Sequence, residues 1–117
     1  MKRHKILVVD DEQEIRDMCK RALERAGYRV DVSQNAQEAL ELLDKGEDYD
    51  LVLTDLGMPG LNGLELISEV KKKYPCCKTL LMTGTPPGND IDTRDCLRKP
   101  FDFTELASKI KQHLSSP

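Results

Sequence analysis

Four short stretches of this 117-residue chain hold side chains that could do chemistry together: Asp10-Asp11-Glu12, Asp55, Thr83-Gly84 and Lys99-Pro100. Carboxylates crowded into one place repel, and raise one another's pKa unless a cation sits among them. Oxygen-only ligands in an open crevice suit Mg2+ (or Mn2+), an ion that keeps several waters and takes a few carboxylates plus a phosphate. Such an ion neutralises charge that develops as a phosphoryl group moves. Lys99 adds a second positive charge, Thr83 a hydroxyl donor, and Gly84 room for a group to enter. Asp55 is the carboxylate best placed as a nucleophile, which would give an aspartyl-phosphate.

Each of these residues also has an ordinary use. Asp55 could start a turn. Asp10-Asp11-Glu12 could cap a helix and complement its dipole. Thr83 could bond to nearby backbone, and Lys99 could be a solvated surface lysine. The chemical reading depends on whether the fold brings all four stretches to one point.

The elements that must do so are legible as apolar patterns. Ile6 to Val9 is a continuous apolar run, as in a strand buried on both faces. Ile15, Met18, Cys19, Ala22, Leu23 and Ala26 mark one face of a helix that stops at Gly27. Tyr28, Val30 and Val32 alternate, which predicts a half-buried strand. Asn35 with Glu38 starts a second helix, lined by Ala39, Leu40 and Leu43 and ended by Gly46. Leu51 to Leu53 form a third strand that runs out at Asp55. A third helix spans Gly63 to Tyr74, with Leu64, Ile67 and Val70 inward. Thr79 to Met82 and Cys96 to Arg98 are the last two strands, the latter at an edge. Asp102 and Glu105 cap a final helix lined by Leu106, Ile110 and Leu114.

Strands alternating with helices predict an α/β fold with a parallel sheet and right-handed crossovers. Five strands in this length fit a flavodoxin-like doubly wound sheet of order 2-1-3-4-5, with the ligand crevice outside the carboxyl ends of strands one and three. All four chemical stretches fall at strand carboxyl ends. The helix between strands four and five, fourth in such a fold, has little room: Thr85-Pro86-Pro87-Gly88-Asn89-Asp90 forms turns, and few residues remain for helix. A truncated or missing fourth helix is expected.

Composition narrows the function. A net charge of −3 and 4% aromatics give no bulk attraction to nucleic acid or anionic membrane and no stacking platform. No apolar run approaches the ~20 residues of a membrane span. Cys19, Cys76, Cys77 and Cys96 lack zinc-ligand spacing and read as free thiols in a reducing cytoplasm. One domain, residues 1–117, is expected.

Taken together, Ile6-Leu7-Val8-Val9-Asp10-Asp11-Glu12, Asp55-Leu56-Gly57-Met58-Pro59-Gly60-Leu61-Asn62-Gly63, Met82-Thr83-Gly84 and Lys99-Pro100-Phe101 resemble the receiver domain of bacterial two-component response regulators. The resemblance implies that Asp55 accepts a phosphoryl group from the phosphohistidine of a sensor histidine kinase or phosphotransfer protein. It implies Mg2+ held by Asp11, Asp55 and the Gly57 carbonyl, with Asp10 reaching it through water. Thr83 and Lys99 would bind the phosphoryl oxygens. Such a chain is a signalling domain, not a conventional enzyme; an Asp-nucleophile phosphatase would need an Asp where Glu12 stands. The family's ring three residues before the lysine is replaced by Cys96. With that and the short fourth helix, the expected response to phosphorylation is ordering of Gly84 to Asp95, not dimerisation through that face.

Overall fold

A computed structural model describes residues 3–58, 60, 62–84 and 93–115. Five strands form one parallel sheet in the order β2-β1-β3-β4-β5: β1 is Lys5–Val9, β2 Arg29–Ser33, β3 Leu51–Asp55, β4 Lys78–Thr83 and β5 Cys96–Arg98. The helices are α1 Gln13–Arg25, α2 Ala36–Asp44, α3 Gly63–Lys73 and α4 Phe103–Ser115. The expected fold class and strand order are therefore correct, and β5 is an edge strand. Positions 85–92, on which the truncated fourth helix and the ordering loop were to rest, lie outside the described residues. On either side of them stand Gly84 and a single 3-10 turn, Thr93–Asp95.

The sheet divides two apolar layers, and β1 shows why. Ile6 and Val8 face α1 and α4 together with Leu51, Leu53, Leu80 and Met82. Leu7 and Val9 face α2 and α3 together with Val52, Leu66 and Val70. Successive strand side chains point to opposite faces, so a strand covered on both sides must be apolar throughout. All four of these β1 residues are fully buried. At about 1.5–3 kcal/mol per buried aliphatic side chain, they hold β1 and the acidic residues that follow it firmly in register.

Two expectations fail in informative ways. Leu64 is exposed, and Leu66 with Val70 forms the inward face of α3. An Asn62–Glu65 capping box starts the helix, and Gly63, Leu66 and Val70 form its buried face. Val32 is also exposed, while Ser33 is buried. As the terminal strand of the sheet, β2 is incompletely covered near its carboxyl end.

Candidate functional site

The chemical residues stand where buried strands end. Asp10 directly follows β1, and its backbone N–H donates to the Ser33 carbonyl at 3.1 Å. Its side chain is fully buried. The Glu12 backbone N–H donates to Asp10 Oδ1 at 2.9 Å, and Lys99 Nζ donates to Asp10 Oδ2 at 3.0 Å. Glu12 is the N-cap of α1 but makes no side-chain cap bond. The acidic triplet is thus not used up as a helix cap. Asp11 is exposed at the mouth.

Asp55 ends β3 and is nearly buried. Lys99 Nζ reaches its Oδ1 at 3.1 Å, so one ammonium bridges Asp10 and Asp55. Lys99 is delivered by the sheet: its backbone N–H donates to the Thr83 carbonyl at 2.8 Å, extending the β4–β5 ladder. Thr83 is buried at the end of β4, and the Lys99–Pro100 peptide is cis. Gly57 is exposed in the loop two residues past Asp55.

Burial pushes the Asp55 carboxyl above its ordinary value. The Lys99 ammonium pulls it back, and Asp10 and Asp11 push it up again. For Lys99, burial lowers the pKa, but the hydrogen bonds to Asp10 and Asp55 outweigh it and the net shift is upward. Lys99 is therefore a fixed cation and Asp55 a carboxylate that is costly to keep charged.

Asp10, Asp11 and Asp55 each offer a carboxylate oxygen, and these oxygens lie within 4.8 Å of one another. Three negative charges against the single positive charge of Lys99 leave two uncompensated. Hard oxygen donors with that residual charge fit a divalent cation such as Mg2+. Asp10 already spends one oxygen on backbone and the other on lysine, so Asp11 and Asp55 are the freer donors.

Two residues that support the site carried little signal in sequence. Arg16, on α1, donates from Nη1 to the Asp10 carbonyl at 2.8 Å and so braces the acidic loop. Gly63, the first residue of α3, packs directly on the end of β3. A Cβ there would lie 2.2 Å from the Asp55 carbonyl oxygen. Its own N–H donates to the Leu56 carbonyl at 3.1 Å. Glycine is a poor helix former. Its place directly after a capping residue was the one hint of a close backbone approach.

A 2-1-3-4-5 parallel sheet carrying carboxylates and a lysine at its carboxyl ends is the architecture of a receiver domain. The chain matches the family model for the response regulator receiver domain over residues 6–111, and it belongs to that family. It is 39% identical over 115 residues to the transcriptional regulatory protein CpxR homolog of Haemophilus influenzae, covering 92% of this chain and 48% of that protein. It is 37% identical to the DNA-binding transcriptional regulator NtrC of Rhizobium meliloti, covering 96% of this chain and 24% of that one. The chain thus spans about half or less of these relatives. The response regulator TrrA of Thermotoga maritima, solved in complex with Mg2+–BeF, has a TM-score of 0.83 and 38% identity, covering 93% of this chain and 97% of that one. Among the described residues no helix is long and apolar enough to cross a membrane.

Proposed function

We propose that Asp55 is the phosphoacceptor of a cytoplasmic two-component pathway. It takes a phosphoryl group from the phosphohistidine of a sensor histidine kinase or phosphotransfer protein, and the phosphorylated domain contacts its partner differently. The observation that carries this reading is the Lys99 ammonium bridging Asp10 and Asp55 beside the exposed Asp11.

Asp11, Asp55 and the Gly57 carbonyl would hold Mg2+, with Asp10 behind them through water. When bound, the ion supplies neutralising charge for the phosphoryl oxygens. An Asp55 oxygen forms the new O–P bond as the P–N bond to the donor imidazole breaks. The buried walls of the crevice keep that oxygen poorly solvated, which favours transfer of its charge to the phosphoryl group. Lys99 then pairs with a phosphoryl oxygen, and the Thr83 hydroxyl donates to another. Thr83 ends β4 and Lys99 directly follows β5, so the two side chains reach the group from neighbouring strand ends. Hydrolysis of the acyl phosphate by water resets the domain.

With Mg2+ and a small acyl phosphate donor, the chain gains one acid-stable, base-labile phosphoryl group, read by intact mass. Asp55→Asn gains none. Equal labelling of the two proteins would remove Asp55 from its role.

A further inference from the structure

The polar groups of Asp10 are all committed, and to different elements. Its N–H donates to the Ser33 carbonyl at the end of β2. Its Oδ2 accepts from Lys99, which follows β5, and its Oδ1 from the Glu12 backbone N–H at the cap of α1. Its carbonyl accepts from Arg16 Nη1, on the first turn of α1, at 2.8 Å. Asp11 is the reverse case. It is exposed, and among the described residues no hydrogen bond or ion pair holds its carboxylate.

Asp11 is nevertheless held from both sides through its backbone. The Asp10 carbonyl and the Asp11 N–H belong to one planar peptide, and Arg16 fixes that plane by its carbonyl. On the other side, Asp10 Oδ1 fixes the Glu12 N–H. The partner that Arg16 takes is the unexpected feature. Its half-buried guanidinium lies one helical turn from Asp10-Asp11-Glu12. Guanidinium and carboxylate match in two parallel bonds, and charged bonds are roughly twice as strong as neutral ones. Among the described residues Arg16 pairs with no carboxylate and donates to a neutral carbonyl instead. An ion pair with Asp11 would neutralise the most accessible oxygen donor of the crevice. The bond that Arg16 does make leaves that charge free and fixes the peptide that carries it.

On the reading that Asp11 ligates Mg2+ directly, we propose that Arg16 is a positioning residue for the cation. It holds the Asp10–Asp11 peptide so that the Asp11 carboxylate stays within reach of the Asp10 and Asp55 oxygens, all within 4.8 Å of one another. Two simpler roles for Arg16 give other results. As a bare charge it would repel Mg2+, so its removal would tighten binding. As a packing residue it would change stability and leave the affinity of the folded protein alone. As a positioning residue its removal weakens binding although a repelling charge is lost.

The test is Mg2+ affinity of the full chain by calorimetric titration, with Mn2+-induced amide relaxation where binding is weak. All titrations run below the melting transition of each variant, so that loss of fold does not mimic loss of binding. Arg16→Met should bind about tenfold more weakly, the low end of the range for groups that orient a metal ligand. Arg16→Lys keeps the charge but loses the planar fork, and should rank between Arg16→Met and the wild type. In the Asp11→Ala background, adding Arg16→Met should change affinity by less than about twofold, because its effect passes through Asp11. Without metal, Arg16→Met should shift the Asp11 amide resonance. Unchanged or tighter binding in Arg16→Met, weaker binding in Arg16→Lys than in Arg16→Met, or a full tenfold loss in the Asp11→Ala background would each overturn the role of Arg16 and leave the metal reading standing. A wild type that binds no Mg2+ would overturn both.

Discussion

The two ends of the sheet handle charge in opposite ways. At the carboxyl end, Lys99 sits 3.0 Å from Asp10 and 3.1 Å from Asp55, and Asp10 has no exposure at all. At the amino end, Lys71 is exposed and Lys109 only half-buried, and they line an open cleft. Charges removed from water cost several kcal/mol each and are held only by close partners. Charges left in water cost little and are worth little, with a median near 0–1 kcal/mol per pair. Hence the carboxyl-end crevice can shift the Asp55 and Lys99 pKa values, while the open cleft leaves Lys71 and Lys109 in contact with water.

Removing the central cation tests the comparison hardest. Lys99→Met leaves buried Asp10 and Asp55 without their common partner. Breaking a buried pair costs about 3–5 kcal/mol, and denaturant unfolding at neutral pH should show a loss of that order. The sign with pH is fixed by Asp55. Its folded pKa lies above the ordinary 3.8, so its burial cost is absent below 3.8 and appears as pH rises through the folded value. Without Lys99 that pKa climbs further, so the variant should regain stability relative to wild type on acidification. A penalty independent of pH would mean that Lys99 acts by packing alone.

Gly63→Ala should rank next. The added methyl would meet the Asp55 backbone oxygen at 2.2 Å, and backbone at the end of a buried strand has little freedom to yield. Overpacking of this kind costs about 1–3 kcal/mol. Because the displaced atoms carry Asp55, the proposed phosphoacceptor, the phosphorylation rate should fall by more than stability alone explains. Normal labelling kinetics in a destabilised Gly63→Ala would show the contact to be purely structural.

The same contrast explains what was readable from the residues alone. β1 and β3 announce themselves as unbroken apolar runs, and the acids follow at once, so Asp10, Asp11 and Asp55 could be placed from neighbouring letters. Thr83 and Lys99 needed only the strand order in addition. Gly63 and Arg16 were hidden because each acts on backbone belonging to another element. Leu64 misled because the buried face runs through Gly63, Leu66 and Val70, and a glycine gives no apolar letter to mark its start. The amino-end cleft left no local pattern at all: its lysines come from separate elements and meet only through topology.

Asp11 sharpens the comparison, since it is a carboxyl-end residue with the exposure of an amino-end one. Asp11→Ala should leave unfolding unchanged, or raise stability slightly by relieving repulsion on Asp55. Mg2+ affinity should nevertheless fall by more than the roughly 10–100-fold that the loss of a mere supporting residue costs. Calorimetric titration with unchanged affinity would take Asp11 out of the metal set.

The smallest effect belongs to the amino end. Lys71 lies in the last turn of α3, where a cation also complements the helix dipole. Lys71→Glu should therefore cost about 0.3–1 kcal/mol at low ionic strength, the range for a charge at an exposed helix end. Ions screen such a charge over roughly 10 Å at 0.1 M salt, so most of the loss should vanish as salt is raised. The Lys99→Met penalty should persist in the same series, because salt does not enter the space around a fully buried Asp10. Unfolding both variants across a salt gradient sets the two ends side by side. If salt erases the Lys99 effect, or leaves the Lys71 effect intact, then burial is not what separates the two ends of this sheet.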